Sequence, residues 1–431
     1  LNVKIGATHA GITVGEDGNL TVSEPTTIGT ITVTVNGDEA SEITGVENLT
    51  VTNAEMILRL EPNKANATPN KWYAFGVPFE VEVSGGIYAQ GSASPAIYNS
   101  AFVLDEYDGS LRASTQQGWK RVSSSAILQP GVLYMIAVGS TTKEWRCVRR
   151  ASASLTEQAS LSVAAYPSAI GAHHAGWNGL ANTLFRDASV ALDGVQYITT
   201  YNNEQSVYEV QPIADATLAM AKPFFVQVPQ AGTLHLTAQP AGVAARSLMA
   251  ADELTPSCVL SLSSDNFSDR AYITAQVGKE NTYSIGHDLM KMLDGTPSVP
   301  QLWLEGYNLR LAAYELALTS ESTTVIIPMG LYAPQNGTYT LDVETQSDYY
   351  TLTLLADDTP VAELGEQTVS IELEQGNNSK YALCITKKTD VVTNIINGTA
   401  DGTQVVKFVQ DDLLYILRDG KTYTIQGVEV K

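Results

Sequence analysis

Positive charge is scarce in this chain. Across 431 residues Lys and Arg number 25 against 46 Asp and Glu, a formal net charge of −21. A polyanion would be repelled, so nucleic acid is excluded as a partner. The acidity reads instead as solubility in a crowded extracellular setting, an acidic cation site being the alternative. Cysteine is scarcer still. Cys147, Cys258 and Cys384 stand far apart and none lies in a CxxC spacing, so buried free thiols are expected rather than a zinc site. Long apolar runs are missing, and with them any transmembrane span. Only 16% of residues are charged, while Thr, Ser, Gly and Asn abound, a balance that suits β-structure with many turns. A start methionine and a charged leader are also lacking. Leu1 begins inside a repeating pattern, so a leader and further repeats are expected upstream.

What is present is alternation. Between Ile5 and Leu60 short runs recur, and Ile12, Ile31 and Leu49 follow one another at steps of 19 (31 minus 12) and 18 (49 minus 31) residues. Stacked coils of a β-solenoid repeat this way, with Gly15, Gly18, Gly29, Gly37 and Gly45 at the corners; a plain antiparallel meander is the rival reading. Residues 63–70, with Pro62 and Pro69 and little apolar content, read as a linker, and 239–247 as a second. Between them, 71–238 holds many short strands without helical periodicity, including Trp72–Phe75, Val132–Val138 and Phe224–Val228. That pattern predicts an antiparallel sandwich. From 248 to 388 alternation at Val259–Leu262, Ala271–Thr274, Tyr339–Val343 and Tyr350–Leu354 predicts a second, jelly-roll-like or immunoglobulin-like sandwich. In the last segment, 389–431, Leu414, Ile416, Tyr423 and Ile425 alternate around Asp419-Gly420, the pair that a tight hairpin requires. The expected fold is therefore all-β: a short solenoid end over 1–62, two antiparallel β-sandwich domains and a small C-terminal β-unit.

Several runs carry a resemblance. The ending Leu414-Tyr415-Ile416-Leu417-Arg418-Asp419-Gly420-Lys421-Thr422-Tyr423-Thr424 resembles the tails of secreted, surface-displayed proteins of Bacteroidetes, like the type A sorting domain of the type IX secretion system. "KWYAFGVPFEV" from Lys71, "YDGSLRA" from Tyr107, "LQPGVLYMIAV" from Leu128, "GWNGLANTLF" from Gly176 and "AKPFFVQVPQAG" from Ala221 are similar, in that order, to runs common in such proteins. The chain departs from the pattern at Ala181-Asn182-Thr183, where Gly-Asn-Pro is usual, which puts the local turn in question. The resemblance implies an extracellular or outer-membrane surface location and a structural or adhesive role. It brings no catalytic residue.

The residues themselves offer little chemistry. The five histidines are His9, His173, His174, His235 and His287. Only His173-His174 is paired, and strand neighbours point to opposite faces, so a solvated loop is expected there rather than a metal site. His287 adjoins Asp288, but no nucleophile motif accompanies it, and no catalytic residue is assigned. Glu16-Asp17 and Asp38-Glu39 lie about one coil apart in the solenoid reading and would suit corners. No cofactor is expected apart from calcium, for which Asp105 and Asp108, and Asp265 and Asp269, supply oxygen ligands in two loops that lack the order of an EF-hand. Tyr197, Tyr201 and Tyr208, beside Asn202-Asn203-Glu204-Gln205, are the candidates for an exposed sugar-stacking face, whereas Trp72, Trp119, Trp145, Trp177 and Trp303 suit the core. These features predict a non-catalytic, adhesin-like surface protein whose partner is an extracellular glycan or a host or cell-surface protein. A carbohydrate-binding surface protein and a fragment of a β-helix glycan-degrading enzyme are the alternatives.

Overall fold

A computed structural model of the protein describes the side chains of residues 56–150, 156–239 and 258–388, apart from short stretches at 265–266, 275–278, 294–296, 318–323, 345, 347–349 and 366–367. Strands alone are described between 3 and 55, at Ala153–Leu155 and, apart from the side chains of Lys421 and Tyr423, between 395 and 430. The chain is all-β, and among the described residues a single α-helix, Gly109–Thr115, interrupts the strands.

The stretch expected as one sandwich holds two cores built to the same plan. In the first module a four-stranded sheet runs in the order Trp119–Arg121, Phe102–Tyr107, Tyr134–Val138, Trp72–Phe75. In the second the order is Val207–Pro212, Tyr197–Asn202, Pro223–Gln227, Trp177–Ala181. A facing sheet is also repeated: Ile87–Ala89, Glu144–Val148 and Asn53–Arg59 in the first, Ala188–Ala191, Gly232–Ala238 and Gln158–Val163 in the second, all antiparallel. The registers match residue for residue. Trp72 lies opposite Ala137 and Trp177 opposite Gln227; Phe75 lies opposite Tyr134 and Leu180 opposite Phe224. Each pair of sheets encloses its own core, Tyr73, Phe102, Ile136 and Trp145 filling the first and Ile198, Phe224, Leu234 and Leu236 the second.

The modules meet across a pseudo-twofold axis. Gly76 follows Trp72 by four residues, as Ala181 follows Trp177; Gly131 precedes Ala137 by six, as Ala221 precedes Gln227. Gly76 N–H donates to the Ala221 carbonyl at 3.0 Å, and Ala181 N–H to the Gly131 carbonyl at 3.1 Å. Gly131 and Ala221 share the same left-handed backbone, with φ of 83° and 57°. At the axis the chains approach so closely that a Cβ on Gly76 would lie 2.2 Å from that of Ala181.

Residues 258–388 form one sheet of eleven strands, antiparallel except where Phe267–Val277 and Leu309–Leu318 run parallel. The edge strands Thr359–Leu364 and Val369–Leu373 put Leu364, Ile371 and Leu373 into the core that Leu260, Leu304, Met329 and Leu383 occupy. The sheet thus curls around a single interior as a nearly closed barrel, where two separate sheets were expected.

At the ends the pairing is mostly antiparallel. Ile12, Ile31 and Leu49 lie opposite Val22, Ala7 and Leu155, not one above another as coil equivalents would. Of these pairings only Ile12–Val14 with Leu20–Val22 joins successive strands, so they form neither a regular stack of coils nor a simple meander. Strand Asn53–Arg59 belongs to the first module, which therefore begins before residue 62. The expected linker at 63–70 is packed against it, with Ala67 buried. After 395 five strands form an antiparallel meander, and Arg418 pairs directly with Lys421, leaving two residues for the hairpin turn. Residues 240–247 of the second expected linker, Glu16-Asp17, His9 and Asp265 lie outside the described residues.

Candidate functional site

The outer face of each module's four-stranded sheet is largely covered too. Tyr107 packs edge-on against Phe225 of the second module, with ring centroids 4.9 Å apart, and its counterpart Tyr201 clusters with Ala74 and Met135 of the first. The barrel adds Tyr272, Leu289, Met292, Ala312 and Ala313 to the cluster that holds Tyr107, Trp177, Tyr197 and Phe225. Three cores thus converge on one aromatic seam. Tyr272 crosses it, its ring 5.2 Å from that of Tyr197 and its hydroxyl donating to the Val210 carbonyl at 3.2 Å.

This placement corrects the candidate sugar face. Tyr197 and Tyr201 are buried and Tyr208 is half-buried, because the second module covers its outer sheet with the first module and the barrel. The polar run beside them is docked. Asn203 exchanges two hydrogen bonds with the backbone of Ala74, and Glu204 accepts two from Asn63. Trp145, Trp177 and Trp303 are buried, and Trp72 and Trp119 half-buried.

The calcium candidates have protein partners. Asp105 pairs with Arg121 across the ladder at 2.6 Å. Asp108 caps the helix, accepting from the N–H groups of Ser110 and Leu111, and the Ser110 hydroxyl bond above all holds its carboxyl below the usual range. Asp269 is buried against Lys291 and accepts the Leu302 N–H at 2.7 Å. His173-His174 does not form a solvated loop. His174 is buried, and desolvation, then His173 and Arg112, push its imidazole down to about 4. Asn182 settles the turn at 181–183: its buried side chain donates to the carbonyls of Arg186, Leu218 and Ala219 and accepts the Leu184 N–H. Cys147 and Cys258 are buried, and burial pushes their thiols up to about 12; Cys384 is half-buried.

The buried charges among the described residues are almost all paired. Glu61 is fully buried beneath Lys64 and Lys71, at 2.6 and 2.8 Å. At the seam between barrel and second module, Lys279 lies 3.1 Å from Asp288 and 3.0 Å from Glu315, whose other oxygen faces His287 at 3.0 Å. Asp288 also accepts the N–H groups of Ser284 and Glu315, both at 2.7 Å. Burial raises the Asp288 carboxyl, while the bond to Glu315 raises the His287 imidazole.

Arg112 stands apart. Among the described residues it is the one buried charged side chain with no opposite charge within 4 Å. Its guanidinium lies over the Trp177 ring at 4.5 Å and touches the Met292 sulfur at 4.0 Å, while its Nε has no hydrogen-bond partner. It floors a cavity of about 300 Å³ walled by Tyr107, Trp119, Tyr208 and Phe225, with the exposed Gln116 and Gln117 at the rim. Burial pushes the Tyr107 phenol up to about 12, while the neighbouring Arg112 guanidinium pulls it down by its charge and by a side-chain contact that falls short of good hydrogen-bond geometry.

The helix that carries Arg112 is the asymmetric element. In both modules the register sets an Asx residue after the tyrosine, Asp108 and Asn202, each accepting from the N–H groups two and three residues on. After Asn202 the chain returns to its next strand at Val207; after Asp108 it makes a helix and returns at Trp119. Gly109 and Gly118 admit the insertion, since a Cβ at either would fall 2.0 Å from the Trp177 carbonyl oxygen or 2.4 Å from the Tyr107 ring. Arg112 entered the sequence reading only inside "YDGSLRA", and the difference in loop length could not be seen without the duplication. Compared with known proteins, the chain matches no family model, no curated protein and no solved structure. No helix among the described residues is long and apolar enough to cross a membrane.

Proposed function

We propose that this is a non-catalytic, adhesin-like protein of the extracellular space or outer-membrane surface, in which the two modules and the barrel form a rigid stalk that presents binding surfaces. The observation that carries this reading is the seam, where aromatic side chains from all three cores are buried together. Each such ring contributes roughly 1.5–3 kcal/mol on burial, whereas a buried ion pair comes near to breaking even. The aromatics therefore hold the assembly, and the Lys279–Asp288–Glu315 network fixes its register. Such a body suits display better than closure around a substrate. The buried carboxylates Glu61, Asp269, Asp288 and Glu315 each face a lysine, which supports structural work for them over proton transfer. On this reading 389–431 is a sorting-type tail.

A second reading, carbohydrate recognition, is favoured by the aromatic cavity above Arg112. The test of the main proposal is antibody labelling of intact cells that make the protein, joined to retention of protein-coated beads on glycan- and protein-bearing surfaces. Labelling with retention is expected. Labelling only after lysis, or beads that adhere to nothing, would contradict it.

A further inference from the structure

We propose that the Arg112 cavity binds the carboxylate of an acidic sugar residue, with Arg112 as counter-ion and the aromatic walls against the ring. The inference rests on the reading of the protein as a non-catalytic binder. Its basis is an imbalance: among the described residues every other buried charge faces an opposite charge within the protein, whereas this guanidinium meets a ring face, a thioether, the neutral Tyr107 phenol and an open cavity. An uncompensated buried cation is costly, and a ligand carboxylate would supply two acceptors in the planar geometry that guanidinium matches.

The surroundings narrow the ligand. A volume of about 300 Å³ lies at the small end for ligand pockets, which suits one ring and not a long chain segment. Trp119 and Tyr208 are half-buried and line the cavity, each set edge-on to Phe225, which gives the site aromatic walls of the kind that suit the apolar face of a pyranose. Gln116 and Gln117, exposed at the rim, carry amides that both donate and accept, as sugar hydroxyls require. The Arg112 charge also reaches His173, whose imidazole is lowered by desolvation first and by that charge second. The net charge of −21 opposes an approaching anion only at long range, and screening shortens that reach to about 10 Å at 0.1 M salt.

The chemistry is the same whether the acidic sugar is free or ends a glycan, so the test has two arms. Titration calorimetry of the full chain with glucuronate, and with a glucuronate-terminated disaccharide, is compared with neutral glucose as control. The expected result is binding of the acidic sugars, with affinity lost about tenfold or more in Arg112→Met, as loss of a charge-assisted hydrogen bond entails, and partly kept in Arg112→Lys. The melting temperature of Arg112→Met should be unchanged or raised, because removing an unpaired buried charge relieves a cost. Tighter binding of the disaccharide points to a glycan terminus, and equal binding to the free sugar. Glucuronate binding no better than glucose, or unaffected in Arg112→Met, overturns the proposal; so does a lowered melting temperature with binding intact, which would make Arg112 a packing residue on Trp177. Glycan retention indifferent to Arg112 would leave the adhesive reading standing, whereas cleavage of the disaccharide would remove that reading and leave the pocket.

Discussion

Glu61 shows how a single side chain in a stretch that reads as a linker becomes a fixed point. Its carboxylate accepts from Lys64, Lys71, Thr68 and the Tyr73 hydroxyl, and Asn63 and Lys71 continue the contact to Glu204 in the second module. Burial alone would raise this acid; the four donors overcome that and bring it to about 2 from an ordinary 4.5. A depressed carboxyl stabilises the fold above its unfolded value and loses that contribution as pH falls through the folded one. Denaturation of the wild type should therefore become easier between about pH 4.5 and 2, and Glu61→Gln should flatten that part of the profile. At pH 7 the same variant should lose roughly 2–3 kcal/mol, the scale of hydrogen bonds to a charged group. Equal stability of the two proteins at pH 7 in urea titrations would sink this account. Gly76 makes a second case. Gly76→Ala adds one carbon into Ala181 across the pseudo-twofold axis and should cost about 1–3 kcal/mol of overpacking, a loss that Gly91→Ala, with open space around it, should not repeat by that mechanism.

Elements were partly legible. Period-two alternation located strands such as Tyr339–Val343 and Tyr350–Leu354, and Asp419-Gly420 marked a hairpin whose flanking residues do pair. Alternation could not reveal the duplication, because the equivalents share few identities: Trp72 with Trp177 and Tyr107 with Tyr201 recur, but Val77 becomes Asn182 and Met135 becomes Phe225. Nor could it show that both faces of the Tyr197–Asn202 strand are covered, so tyrosines beside a polar run looked exposed. The candidate site suffers the same limit. Tyr208 was singled out for stacking and does line the cavity, while Arg112 acquires meaning only from the helix that one module has and the other lacks. Replacing residues 109–117 by the short turn that follows Asn202 in the second module should leave the strand pairing intact and abolish binding of acidic sugars. Circular dichroism and the titration above check both halves, and loss of β-structure would mean that the helix is needed for folding.

At the scale of the whole molecule, the seam predicts that the second module and the barrel open together. Tyr272→Ala removes the bond to Val210 and the contact with Tyr197, a change worth about 3 kcal/mol for a large buried ring. Hydrogen exchange followed by mass spectrometry should show faster exchange in both Tyr197–Pro212 and Phe267–Val277. Acceleration in only one of them would mean that the cores are independent beads, and the rigid stalk would fail. The most direct measurement for the central claim is mass spectrometry of a mixed glycan library incubated with the full chain, following depletion and new products in one experiment. Selective depletion of acidic glycans without products is the predicted result; the appearance of cleaved glycans would contradict a non-catalytic binder.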